Sequence, residues 1–176
     1  HKNKFFTPLT IHVELKKVHE LFKNKIMMIK KIENLYLTLI NDFKIKNPKI
    51  IMTGINPHAG EKNTISKDDV KYLSPIINQL KKKGISISGP ISGDAIINNE
   101  NLKQYDMFIF TYHDQALIPF KMLSNYKGVN FTSNLNIIRV SPSHGTAENL
   151  IGSNKVISKG IINCFNLIKK IARNRI

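Results

Sequence analysis

Three of the six histidines sit in polar clusters that interrupt otherwise apolar sequence. His58 lies in Asn56-Pro57-His58-Ala59-Gly60-Glu61, a turn in which proline fixes the chain and glycine relaxes it. His113 is followed by Asp114 and Gln115, side chains able to orient an imidazole or contact a substrate. His144 precedes Gly145, Thr146 and Ala147. Neutral imidazoles suit borderline divalent ions, and three of them leave the ion's double charge available to an anionic substrate. The intervals between the histidines are long, so spacing alone does not decide which of them meet. His19, at helical spacing among Lys16, Lys17 and Glu20, reads as solvent-facing, and the terminal His1 carries no argument.

The elements that must position these residues read as an α/β fold. Short apolar runs alternate with stretches of helical period, the pattern of a mostly parallel sheet flanked by helices. Residues 4–11 predict a strand bent at Pro8, and 26–43 a helix with Ile29, Ile32, Leu35, Leu39 and Phe43 on one face. Residues 49–55 predict a buried strand running into the His58 turn. Ser66 reads as the N-cap of a helix, with Asp68 and Asp69 at its positive end. Val70, Leu73, Ile77 and Leu80 carry that helix to Gly84, with a kink expected at Pro75. A short strand over 85–88 precedes a turn at Gly89-Pro90, and a strand over 105–111 ends at the His113 cluster. Strands over 128–132 and 136–141 lead to His144. A last helix, about 155–173, would turn Ile157, Ile161, Cys164 or Phe165, and Ile168 inward. Thus His58, His113 and His144 each follow a strand at its C-terminal end, where open α/β sheets place ligand sites.

Composition sets the outer bounds. A chain of 176 residues can bury a full core. It starts at His1 with Phe5-Phe6 already reading as strand, which predicts a fragment of a longer protein. No apolar run approaches the ~18 residues of a membrane span, and the first residues lack a signal-peptide pattern. The single Cys164 cannot form an internal disulfide, in keeping with a reducing, cytoplasmic setting. The net charge of +15 raises nucleic-acid binding as an alternative of another class. However, the chain holds 24 Lys against 3 Arg, together with 28 Ile and 20 Asn, and A/T-rich codons encode Lys, Ile and Asn alike. Nucleic-acid surfaces draw on arginine forks and aromatic platforms. Here the aromatics fall in apolar runs, as Phe108 and Phe110 do. The charge reads as background.

Four motifs in order, GINPHAGE (54–61), YHDQ (112–115), GVN (128–130) and SHGTAENLIG (143–152), closely resemble the 4-hydroxythreonine-4-phosphate dehydrogenases of vitamin B6 biosynthesis. The match runs from about Thr10 to the last helix. That family is about twice this length, so the resemblance covers its C-terminal half. The fold implied is of the isocitrate/isopropylmalate dehydrogenase type, with the N-terminal half absent. Residues 1–135 would carry metal, substrate and dimer contacts, and 136–176 the cofactor loop and final helix.

The resemblance also implies a site. A divalent metal (zinc, magnesium or cobalt) would be held by His12, His58 and His113 and shared between the subunits of a homodimer. The Thr10-Ile11-His12 segment carries Val13-Glu14 where the family has Leu-Pro. Substrate-binding positions fall on Lys121, Asn130 and Arg139. Arg139, after a predicted strand in a chain dominated by lysine, suits bidentate binding of an oxyanion. Asp94 matches an acid near the metal and would serve equally as a helix N-cap. Asp94 and Lys121 are the candidates for proton handling. His144, Gly145, Thr146 and Ala147 match the loop that wraps the adenosine end of NAD or NADP, with Gly145 allowing close backbone approach. Ser143 and Asn136 stand where the family has Asp and Pro. The implied reaction oxidises 4-phosphooxy-L-threonine to a β-keto acid, which loses carbon dioxide to give 3-amino-1-hydroxyacetone 1-phosphate. A related enzyme acting on a phosphorylated erythronate or threonate is the alternative within the same chemistry.

Overall fold

Two runs, Ile50–Thr53 and Met107–Phe110, are buried at every position. Strands that read as continuous apolar sequence, without alternation, belong inside a parallel sheet covered on both faces. The computed structural model describes residues 3–125, 127–143, 152 and 158–176, and these two runs are its central strands. They are β2 (Ile50–Thr53) and β4 (Met107–Phe110), flanked by β1 (Phe5–Pro8) and β3 (Ile87–Ile91) in the order β1-β4-β2-β3. All three pairings are parallel, with Phe5 beside Met107 and Ile50 beside both Met107 and Ile87. Consequently all four strands run out at the same edge. Pro8 closes β1 on the outside of the sheet, where no second neighbour requires its missing N–H.

The helices arise where the pattern predicts them, with some changes of detail. Short α1 (Val18–Leu21) precedes α2 (Lys25–Asn41), which buries Met28, Ile29, Ile32 and Leu39. The Asn24 side chain caps α2 by accepting from Met27 N–H at 3.1 Å. Ser66 does cap the next turn, its Oγ accepting from Asp68 N–H at 3.2 Å. Beyond it, Asp69–Leu73 forms a widened turn that runs directly into α3 (Ser74–Lys82), and Pro75, which lacks an N–H, stands at that junction. The expected kink is therefore a change of helix type just before the proline. Val70 is exposed, not inward. Gly89-Pro90 is no turn: it lies within β3, joined by a cis peptide. Short α4 (Asn99–Gln104) is capped by Asn98 and leads into β4, and α5 (His113–Ser124) follows.

A separate antiparallel hairpin pairs β5 (Val129–Thr132) with β6 (Arg139–Pro142). It packs against α6 (Lys159–Arg175), which buries Cys164 and leaves Phe165 and Ile161 exposed. The expected Ile157 contact lies outside the described residues. Edge-to-face aromatic contacts run from Phe5 to Phe43 and on to Phe131 of β5, with ring centres 4.4 and 5.4 Å apart. The end of α6 adds an ionic tie. Arg175 grips Asp42, just past α2, through Nε and Nη2 at 2.7 and 2.9 Å, and donates from Nη1 to Leu135 O at 3.1 Å.

Asp42 is 5% exposed, so the guanidinium stands where water would otherwise solvate its carboxylate. Arg175→Ala should destabilise the protein by roughly 2–4 kcal/mol, somewhat less than for a fully dry pair because the arginine is partly wet. Arg175→Lys should restore only part of this, since an ammonium cannot form the two-pronged contact. Urea denaturation of the three proteins measures both effects.

Candidate metal and substrate site

Because the four parallel strands stop together, the loops that follow them line up along one edge in the strand order. β1 leads to His12, β4 to His113, β2 to His58 and β3 to Asp94. Sheet topology thus sets in one row four residues separated by up to a hundred positions in sequence. The His12 and His113 rings face each other at 5.8 Å between centres, tilted by 40°. Two imidazoles on one ion, with metal–nitrogen bonds of ~2.1 Å, hold their ring centres roughly 5 Å apart. A small side-chain adjustment reaches that distance, so the pair fits a shared cation.

The surroundings of each ring support the same chemistry. His113 Nδ1 lies 2.7 Å from Asp114 Oδ1, which occupies one ring nitrogen and leaves Nε2 for a ligand. Metal-binding histidines almost always engage their other ring nitrogen with a carboxylate, a backbone carbonyl or water. Asp94 accepts a close hydrogen bond from Ser92 Oγ. That contact, a backbone hydrogen bond and the nearby His58 hold its carboxyl below the ordinary carboxylate range. Asp94 is therefore an ionised group beside His58. It is not an N-cap, since Asn98 caps the helix that follows. Among the described residues, no three His, Cys, Asp or Glu side chains converge tightly enough to enclose an ion.

The loop bearing His58 has an unusual shape. His58, Ala59, Gly60, Glu61 and Lys62 all have positive φ, between 42° and 79°. A left-handed turn of non-glycine residues costs of the order of 1 kcal/mol per residue and must be held from outside. Asp69 holds it. This fully buried carboxylate accepts from Ile55 N–H at 2.7 Å and from Asn56 Nδ2 at 2.8 Å. Gly54 and Gly60 let the loop close on it: a Cβ at Gly54 would stand 2.5 Å from Asp69 Oδ1. The sequence presents Asp69 as one of two acids at a helix start, and only the fold distinguishes it, fully buried, from half-buried Asp68.

The substrate candidates occupy a second place. In the β5–β6 register Asn130 pairs with Ser141 and Thr132 with Arg139, so Asn130, Thr132, Arg139 and Ser141 share one face of the hairpin. Arg139 is exposed, and its Nη1 donates to Thr132 Oγ1 at 3.0 Å. Thr132, which sequence reading passes over, thus orients the guanidinium. Lys121 is exposed on α5, eight residues beyond His113. Asn130 and Arg139 come together, while no contact joins them to the histidine row among the described residues. His144, Gly145, Thr146 and Ala147 lie outside the described residues.

Comparison with known proteins identifies the family and the fold. The profile of the family "Pyridoxal phosphate biosynthetic protein PdxA" matches residues 3–168. Two curated proteins named 4-hydroxythreonine-4-phosphate dehydrogenase, from Zymomonas mobilis and Aquifex aeolicus, are each 37% identical over 96% and 93% of this chain. The chain spans half the length of each. A crystal structure of 4-hydroxythreonine-4-phosphate dehydrogenase from Klebsiella pneumoniae superposes with a TM-score of 0.74 at 27% identity, covering 94% of this chain and 49% of that one.

Two glycines test how tightly the His58 loop is held. At Gly60 (φ +79°) a Cβ would lie 2.4 Å from the Ser66 carbonyl oxygen, whereas at Gly84 (φ +82°) nothing lies within 4 Å. Gly84→Ala should cost only the left-handed conformation, about 1 kcal/mol, and Gly60→Ala distinctly more, because a backbone oxygen must also move. Equal losses in chemical denaturation would show that the loop yields freely.

Proposed function

The chain belongs to the family of the pyridoxal phosphate biosynthetic protein PdxA, and from that footing we propose that it is the metal-binding half of a 4-hydroxythreonine-4-phosphate dehydrogenase. The observation that carries this reading is the row His12–His113–His58–Asp94 along the strand ends, with His12 and His113 facing each other. His12, His58 and His113 would hold one divalent cation through neutral nitrogens. A homodimer that shares the site is the reading favoured for the assembly, because the three rings do not close on an ion among the described residues.

The substrate is a phosphorylated β-hydroxy amino acid, 4-phosphooxy-L-threonine. A divalent cation held by His12, His58 and His113 would supply Lewis-acid activation of a substrate hydroxyl and of the carbonyl that replaces it, and NAD or NADP would supply the hydride acceptor. The remaining work belongs to side chains of this chain. Asp114 fixes the His113 ring so that Nε2 points outward, and ionised Asp94 favours a positive centre beside His58. Arg139, oriented by Thr132, and Asn130 and Lys121 bind the anionic groups of the substrate. Oxidation of the substrate carbinol removes a hydride, for which the bound cofactor would be the acceptor, together with the hydroxyl proton. The carbon–carboxylate bond of the β-keto acid then breaks, carbon dioxide leaves, and a proton from solvent or a side chain completes the product. Residues 144–147 are assigned to the cofactor on resemblance, and a cytoplasmic location accords with the metabolic role. Among the described residues no helix is long and apolar enough to cross a membrane.

In the full-length protein a chelator should abolish turnover, with recovery on adding back zinc, magnesium or cobalt. His58→Ala and His113→Ala should each lower kcat/KM by more than about 100-fold. Full activity in either variant would overturn the metal assignment. Arg139→Ala should raise KM roughly 10- to 100-fold, the worth of a charge-assisted hydrogen bond, with a smaller change in kcat. Steady-state kinetics with both substrates varied reads these outcomes.

A further inference from the structure

Gln115 stands beneath the histidine row and touches more strand ends than any ligand candidate does. Its Oε1 accepts from Thr53 Oγ1 at 2.7 Å, at the end of β2, and from Thr111 N–H at 2.9 Å, just past β4. Thr111 Oγ1 lies 2.9 Å from the same oxygen and 3.2 Å from Gly54 O, so its single proton serves one or the other. Gln115 Nε2 donates to Gly54 O at 3.0 Å, on the path from β2 to His58. The loop after β3 comes close as well: a Cβ on Gly93, next to Asp94, would stand 2.8 Å from Nε2. Finally, Thr10 Oγ1 donates to Thr111 O at 2.8 Å and ties in the segment that leads to His12. Thr10, Thr53 and Thr111 are all buried, so these contacts replace water that cannot reach them.

We propose that Gln115 is a positioning residue for the metal site: its carboxamide sets the spacing of the loops that bring His113, His58 and Asp94 together and, through Thr111, the one that brings His12. The inference rests on the metal-site reading above. Gln115 is not itself a ligand or a substrate contact, because its oxygen is already occupied by buried donors from two strands. Only a carboxamide of this length can accept from Thr53 and Thr111 while donating to Gly54. A hydrocarbon there leaves buried donors unmet and frees the loops to drift apart.

The test is equilibrium binding of cobalt(II) to the full-length protein without substrate, read by its d–d absorption, alongside far-UV circular dichroism. Gln115→Met should weaken cobalt binding by about 10- to 100-fold, the usual effect of removing a group that orients ligands, and should shift the d–d bands. Thr53→Val should move affinity the same way by a smaller factor, and Thr53→Ser, which keeps the donor, should bind as the parent does. Parental affinity and spectrum in folded Gln115→Met would overturn the proposal while leaving the metal site standing. If Gln115→Met does not fold, parental affinity in Thr53→Val overturns it instead. Failure of the parent protein to bind cobalt removes the metal-site reading and this inference with it, and the parent titration alone separates that result from the others.

Discussion

Four parallel strands that stop at one edge expose a row of backbone groups where loops leave the sheet, in a region where burial keeps water away. Each such group needs a partner from the protein itself. Here the partners are buried threonine hydroxyls, the Gln115 carboxamide and the Asp69 carboxylate. Satisfying the strand ends and placing the histidines are therefore the same structural task. The hydrogen bonds that close the sheet edge also determine how far apart its loops stand. A site built this way inherits the stiffness of the central strands, although His12, His58 and Asp94 lie on loops and His113 at the first turn of a helix.

The β5–β6 hairpin is attached by different means. Among the described residues it shares no strand pairing with the main sheet, and its contacts include Phe131 with Phe43, Gly128 with Phe120 of α5, and the Arg175 clamp on Asp42. Arg175 also reaches the carbonyls of Leu135 and Asn136, in the connection between β5 and β6. The polar face with Asn130 and Arg139 is thus held by side-chain and helix contacts, while the histidine row is held by a sheet. In the proposed enzyme, the part that binds the anionic end of the substrate is more weakly tethered than the part that binds the metal. Such a division suits a reaction in which the oxidised carbon must stay fixed while the rest of the molecule enters and leaves.

What the sequence made legible follows from what is local. Buried parallel strands are apolar runs, so β2 and β4 are readable from IIMT and MFIF, and α2 from its helical period. His58 and His113 are readable because each stands in a compact polar motif directly after such a run. The roles of Asp69 and Gln115 are not, because Ile55, Asn56, Thr53 and Gly54 are 13 to 62 positions away from them and come near only once the strand order is set. A buried aspartate beside a half-buried one looks the same in sequence. The β3 boundary fails for a related reason. Gly89-Pro90 carries strong turn chemistry, but it falls within β3 at a register shift in the pairing with β2: a Cβ on Gly89 would lie 2.4 Å from Met52 O, leaving room for glycine alone.

The charge excess also takes on meaning once the fold is known. Only 12 residues are acidic against 27 basic ones. Yet Asp42, Asp69, Asp94, Asp106 and Asp114 each have a defined partner: Arg175, the His58 loop, Ser92, Lys49 N–H and His113. If composition has drifted toward lysine, isoleucine and asparagine, exposed positions can follow at little cost, since surface pairs are weak. Positions where a carboxylate meets buried donors or orients an imidazole cannot follow, because the loss there is a broken network. Four of these five aspartates stand at the histidine row, its supporting loop or the clamp that holds the hairpin, while Asp106 ties the opposite ends of β2 and β4 through Lys49 N–H.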